Sequence, residues 1–244
     1  MKFKVFNSYE ELSAYSAELV ARVVREKEDA VLGLATGSSP MGLYEELIKL
    51  YDDGNLDFSK VKSINLDEYV GLDGTHNQSY RYFMDLNLFN HINIDKNNTH
   101  VPDGVAEDLQ NGAEEYDELI DSMGGIDVQI LGIGPNGHIG FNEPAEQLNL
   151  NTHVADLTKE TIKANARFFE SESDVPTQAV TMGMGPIMKA KKVILIASGE
   201  NKAWAVKNLT DDVITTLIPA TLLKLHSDVT VLLDRGAASQ LDEK

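Results

Sequence analysis

The stretch Leu131-Gly-Ile-Gly-Pro-Asn-Gly-His-Ile-Gly-Phe-Asn-Glu-Pro144 decides how this chain is read. It follows an apolar run, Val128 to Ile133, of the kind that forms a buried strand. It then brings Asn136, His138 and Glu143 together among Gly132, Gly134, Gly137 and Gly140. Glycine tolerates positive φ and lets a ligand approach the backbone closely. A histidine beside a carboxylate is the usual equipment for general acid–base work. The plainer reading is an ordinary Gly/Asn turn. Gly132, Gly134 and Gly137 also match G-x-G-x-x-G, the dinucleotide fingerprint. That fingerprint must open a helix whose N-terminus holds the pyrophosphate. Gly140 and Pro144 oppose a helix here, so the dinucleotide reading is rejected.

Outward from this loop, strand and helix patterns alternate. Lys2–Phe6 reads as a short strand, and Ser8 with Glu11 forms a capping box ahead of a periodic helix to about Lys27. Ala30–Ala35 is a buried-type strand, with Met41–Tyr51 a helix and Pro40 at its first position. Val61–Leu66 is the next strand. Asn77–Phe89 and Ala106–Met123 follow as helices, the first with an aromatic face. Beyond the central loop, Thr158–Glu170 is expected to be helical, and Val180–Gly185 a turn-rich piece before a short helix near Ile187. Val193–Ala197 is a strand, a helix runs to Leu209, Pro219 opens a short helix, and Val229–Leu233 is the last strand. Alternating strands and helices predict an α/β fold: a mostly parallel sheet with helices on both faces. With no repeat, low-complexity tract or linker, residues 1–244 are read as a single domain.

Parallel α/β sheets bind ligands outside the carboxyl ends of their strands. Polar clusters stand at four such ends: Thr36-Gly-Ser-Ser39, Asp67-Glu68, Asn136-Gly-His138 and Ser198-Gly-Glu-Asn-Lys202. Their convergence on one rim is stronger evidence than any one motif. Thr36, Gly37, Ser38 and Ser39 precede a helix and suit a phosphate, although they lack the lysine of a Walker loop. Asp67 can serve as a base or, more plainly, as a surface acid or cap. Lys159, Lys163 and Arg167 share one helix face. The two lysines read as a solvated face, whereas Arg167, beside Phe168-Phe169, is the candidate anion ligand. Lys202 opens a helix where a phosphate can also sit. The other histidines lack such a setting, and none stands at metal-ligand spacing from His138.

Composition narrows the function. Apolar residues make up 42% and charged residues 25%, within the ordinary globular range. No cysteine is present, which excludes a thiolate nucleophile and a Cys-based metal site. A net charge of −18 opposes nucleic acid and anionic lipid as partners. The N-terminus lacks signal-peptide anatomy and no apolar run approaches a membrane span, so a soluble cytoplasmic protein is expected.

Five segments resemble one family. Ala35-Thr-Gly-Ser-Ser-Pro40, Asn65-Leu-Asp-Glu-Tyr69, Gly132 to Pro144, Ala164-Asn-Ala-Arg-Phe-Phe169 and Ser198-Gly-Glu-Asn-Lys-Ala203 are similar, in order, to the motifs of the glucosamine-6-phosphate deaminases. Gly137-His-Ile-Gly-Phe-Asn-Glu-Pro144 is the most specific of them. The resemblance implies a Rossmann-like fold and a cofactor-independent conversion of glucosamine 6-phosphate and water to fructose 6-phosphate and ammonia. Asp67 would move a proton between C2 and C1. His138 would open the pyranose ring, helped by Asn136 and Glu143. Thr36, Gly37, Ser38, Ser39, Gly137, Arg167 and Lys202 would bind the substrate, with no metal. Some members carry Asp where this chain has Asn136, which cannot titrate. Allosterically activated hexameric members are longer at the C-terminus and have basic residues where this chain has His153 and Ala155. A monomer without the N-acetylglucosamine-6-phosphate activating site is therefore expected. The rival readings are a 6-phosphogluconolactonase-type hydrolase and a non-catalytic sugar-phosphate sensor.

Overall fold

The structure is a computed structural model that describes residues 1–241, with Phe168 represented by its backbone alone. Its strands are β1 (Lys2–Phe6), β2 (Val31–Leu34), β3 (Lys62–Asn65), β4 (Asp67–Tyr69), β5 (Thr99–His100), β6 (Val128–Leu131), β7 (His153–Asp156), β8 (Gln178–Thr181), β9 (Val193–Ala197) and β10 (Val229–Asp234). Its helices are α1 (Tyr9–Glu26), α2 (Met41–Asp52), α3 (Tyr80–Asn87), α4 (Leu109–Ser122), α5 (Lys159–Asn165), α6 (Met184–Lys189) and α7 (Ala203–Asn208).

Seven strands form one sheet in the order β1-β10-β9-β6-β2-β3-β5, and every pairing is parallel. The central strands are apolar on both sides because both sides are covered. Leu32, Leu34, Val128, Ile130, Ile194 and Ile196 meet α1 and α2 through Leu12, Val20, Leu43 and Leu47. Val31, Ile64, Leu131, Val193 and Leu195 meet α4, α6 and α7 through Tyr116, Ile187 and Val206. From β2 the chain crosses to β3 on one side, while from β6 it travels to β9 on the other. The neighbours β2 and β6 therefore flank the point where the winding reverses, the place where such sheets open a crevice.

A second sheet, β4-β8-β7, is antiparallel and sits at the carboxyl end of the first. Leu66 is the joint: its N–H donates to Leu34 O of the large sheet, and its carbonyl accepts from Met182 N beside the small one. The next residue, Asp67, already pairs with Thr181.

Of the turn-rich piece expected at Val180–Gly185, Val180 and Thr181 instead end a strand, β8, that begins at Gln178, and Met184 and Gly185 already open the expected short helix, α6. The short strands β4, β5 and β7 carry too few residues for a period-2 signal. Helix starts move to their caps: Ser79 caps α3 and Asp108 caps α4, later than the apolar pattern suggests. Pro40 is the N-cap of α2 rather than its first residue. The expected helix Thr158–Glu170 is α5 followed by a tighter turn, Ala166–Phe168.

Candidate active site

A cavity of about 680 Å³ opens at the carboxyl end of the large sheet. That volume suits a small-molecule site. Thr36, Gly37, Ser38, Ser39, Asp67, His138, Arg167 and Lys202 all line it. Residues scattered from one end of the chain to the other meet there because each follows a parallel strand or rides on the small sheet.

The Thr36–Ser39 loop runs from β2 to α2. Gly37 turns it at φ 87, in the left-handed region that favours glycine. Two tyrosines brace it from below. Tyr44 donates its hydroxyl to Ala35 O at 2.5 Å. The Tyr9 hydroxyl lies 3.0 Å from Ser38 O and 2.9 Å from Ser39 O, and accepts from Gly42 N. The N-cap Pro40 offers no side-chain acceptor to the first turn of α2, where the Tyr9 hydroxyl takes Gly42 N. The positive end of that helix therefore faces the loop, as an anion site requires.

Arg167 and Lys202 stand at the same cavity. Lys202 lies in a turn, Glu200–Lys202, whose preceding residues Ser198 and Gly199 are tied to Asp234 at the end of β10. Burial, and after it the positive charge of Arg167, holds the Lys202 ammonium below its ordinary range. Two cations that oppose each other across a cavity are relieved by an anion between them. Phe168, invoked from the sequence as a neighbour holding Arg167, has a side chain outside the described residues. Lys159 and Lys163 are exposed and off the cavity wall, consistent with a solvated face.

Asp67 is 6% exposed, and no donor among the described residues reaches its carboxyl. Burial first, and then the charge of Glu68, pushes it up to about 8. Glu68 points the other way, as alternation along a strand dictates. It accepts from Tyr69 N at 2.8 Å, Tyr80 N at 2.8 Å and Arg81 N at 2.9 Å, anchoring the start of α3. Burial raises it to about 7 against those three donors. Gly140 packs beside Asp67: a Cβ there would lie 3.3 Å from Oδ2.

His138 stands against Gly134, where any Cβ would fall 2.3 Å from the imidazole. Its Nδ1 is 3.3 Å from Glu143 Oε2. That is an ion-pair distance, without the geometry of a hydrogen bond. Asn136 ties the two together: Nδ2 donates to Glu143 Oε2 at 2.9 Å, and Oδ1 accepts from His138 N at 3.1 Å. Thr161 donates to the other oxygen, Oε1, at 2.5 Å. Burial would raise Glu143, but His138, Thr161 and Asn136 together bring it down to about 2. Asn136, Gly137 and Glu143 are not on the cavity wall and stand behind His138. Gly137 takes φ 86 against Ile218, and its carbonyl accepts from Ala220 N. Its position serves the turn rather than direct contact.

Sequence reasoning passed over the aromatic wall. Tyr69, Tyr80, Phe141 and Phe169 pack ring to ring beside Asp67, and Asn165 donates to the Tyr69 hydroxyl at 2.9 Å. Three of the four lie inside the motifs quoted above, but an aromatic residue reads as core until the fold shows a cavity in front of it. Thr161 carries no signal at all in a helix of ordinary polarity.

A family model described as glucosamine-6-phosphate isomerases/6-phosphogluconolactonase matches residues 7–232. A glucosamine-6-phosphate deaminase of Clostridium perfringens strain 13 is 58% identical over 241 residues, covering 99% of this chain and 100% of the relative. One of Thermoanaerobacter sp. strain X514 is 54% identical over 244 residues, covering 100% and 96%. Among solved structures, a monomeric glucosamine-6-phosphate deaminase superposes with a TM-score of 0.96 at 46% identity, covering 98% of this chain and 99% of that one. The 6-phosphogluconolactonase of Trypanosoma brucei reaches 0.79 at 20% identity over 99% and 98%, a likeness of fold alone.

Proposed function

The chain belongs to the glucosamine-6-phosphate isomerase/6-phosphogluconolactonase family, and from that premise we infer that it converts glucosamine 6-phosphate and water to fructose 6-phosphate and ammonia. The observation that carries this reading is that Asp67, His138 and the Thr36–Ser39, Arg167 and Lys202 cations and donors face one cavity.

The chemistry needs these groups in sequence. The phosphate is held by the Thr36–Ser39 loop, Arg167 and Lys202. His138 passes a proton from the C1 hydroxyl to the ring oxygen, which opens the pyranose and makes C1 a carbonyl. Only then is the C2 proton acidic. Asp67, ionised, takes it and returns a proton to C1, while the amino group gives up one proton and the C1 oxygen gains one, leaving a hydroxyl at C1 and a double bond between C2 and nitrogen. Water adds at C2, the C–N bond breaks, and ammonia departs as the ketone forms. A carboxylate held near 8 is a stronger base than an exposed one, which suits abstraction from carbon. Asn136 orients Glu143 and cannot relay a proton. The reaction draws on these side chains alone, without a cofactor.

Ammonia release from glucosamine 6-phosphate by the purified protein, with no added metal or nucleotide, tests the reading. Hydrolysing a lactone needs no carbon base, so a lactonase would keep its rate in Asp67→Asn, and a sensor would release no ammonia at all. The monomeric relative supports a monomer here, acting in the cytoplasm without an activator site; no helix among the described residues is long and apolar enough to cross a membrane. Hyperbolic kinetics, unchanged by N-acetylglucosamine 6-phosphate, are expected. Sigmoidal kinetics relieved by that compound would overturn this part.

A further inference from the structure

We propose that Thr161 is a positioning residue that ties the grip on the phosphate to the proton chemistry at His138. The proposal rests on the reaction inferred above and adds to it a link between two parts of the cavity.

Glu143 has two oxygens, and Asn136 and His138 both address Oε2. Oε1 is held by one group among the described residues, the Thr161 hydroxyl at 2.5 Å. A hydroxyl has a single proton to give. Thr161 spends it on Glu143 and in turn accepts from the Thr158 hydroxyl at 3.0 Å, so the chain of donors runs one way. Thr161 is buried, 9% exposed, and water competes little for that contact. Without it the carboxylate is held by Asn136 at Oε2 alone, and Oε2 is less firmly fixed beside the imidazole.

Thr161 lies on α5, six residues ahead of Arg167 on the same short segment. On that segment Thr161, which also holds Glu143 behind the wall, Asn165, which donates to the Tyr69 hydroxyl, and Arg167 at the proposed anion site all line the cavity. An α5 seated so that Arg167 meets a phosphate therefore also seats the hydroxyl that orients Glu143. The phosphate grip and the orientation of Glu143 thereby share one short segment.

Thr161→Val keeps the shape and removes the hydroxyl. The N-cap survives, because Thr158 Oγ1 accepts from the backbone N–H of residue 161. We expect kcat to fall about 10-fold while KM stays within about twofold, the loss of one hydrogen bond to a charged group. Thr161→Ser should restore kcat to within about twofold of the parent. Thr161→Ala, which empties the position instead of filling it, should show the same split. Independently of turnover, the His138 ring proton resonance at fixed pH should move in Thr161→Val and not in Thr161→Ser. An unchanged kcat in both Val and Ala variants, or a KM that rises in step with the fall in kcat, would reduce Thr161 to a structural contact and overturn the proposal. Failure of the parent to release ammonia would instead strike the reaction, and the resonance comparison would still decide whether Thr161 sets the His138 environment.

Discussion

Two carboxylates close to one cavity are treated in opposite ways. Asp67 sits at the joint of the two sheets, buried and without a donor among the described residues, and is pushed up to about 8. Glu143 sits behind the glycine-rich loop, also mostly buried, and is brought down to about 2 by His138, Thr161 and Asn136. Burial raises both; the His138 ion pair and the hydrogen bonds from Thr161 and Asn136 decide the outcome. Environments that push two acids apart are how one site assigns two roles. The donor-poor acid suits a base that must take a proton from carbon, and the donor-rich one suits a fixed charge that orients an imidazole.

The largest expected effect tests the first half of this contrast. Asp67→Asn should lower turnover by roughly 10³-fold or more, the loss of a general base. It should also stabilise the protein by about 2 kcal/mol near pH 8, because a buried carboxylate without a donor is costly. The sign follows from linkage. The folded protein keeps a proton up to about pH 8 that the unfolded chain releases near 3.8. This contribution is whole below that lower value and is lost as pH rises through the window. Thermal melts should show the gap between variant and parent widening from pH 4 to 8. A variant less stable than its parent at pH 8 would mean that the Asp67 carboxylate has a favourable partner.

Glu143→Gln should move stability the other way. Its depressed carboxyl contributes above 4.5 and the contribution is lost as pH falls through about 2. The variant should therefore lose about 1–2 kcal/mol at neutral pH, with the difference shrinking in acid. Turnover should fall about 10²-fold, less than at Asp67, since the imidazole itself remains. Equal stability changes of one sign in both variants would dissolve the contrast.

Gly140 offers the smallest and sharpest test, since it packs against the Asp67 carboxyl. Its φ is 56, and a Cβ would sit 3.1 Å from Thr181 Oγ1 and 3.3 Å from Asp67 Oδ2. Gly140→Ala should cost about 1 kcal/mol in denaturant melts and lower kcat about threefold, with KM nearly unchanged. A change in KM instead would show that residue 140 touches the phosphate end of the cavity.

Much of this was legible before any coordinates. The parallel architecture follows from apolar runs such as Val128–Leu131 and Val193–Ala197 alternating with capped helices. The Thr36–Ser39 loop, Asp67, His138 and Lys202 were legible as polar groups following buried strands, and Arg167 as a cation on a helix face; all of them line the one cavity. Strand β8 was not legible, because Gln178–Thr181 takes its extended form from pairing with β4 and β7 rather than from its own pattern. Gly137, which the family resemblance places among the substrate-binding residues, turns the chain against Ile218 behind the cavity wall.

Residue types, spacing and the order of elements alone determined the α/β class, the end of the sheet where ligands go and the kinds of side chain waiting there. Those properties are local: a four-residue apolar run or a glycine-flanked histidine carries its meaning wherever the chain goes. What only the tertiary structure decided is which acid is starved of donors and which is surrounded by them. Asp67 and Thr181, or Glu143 and Thr161, become neighbours only when the small sheet and α5 fold over the large sheet, and a carboxylate's behaviour is set by those neighbours.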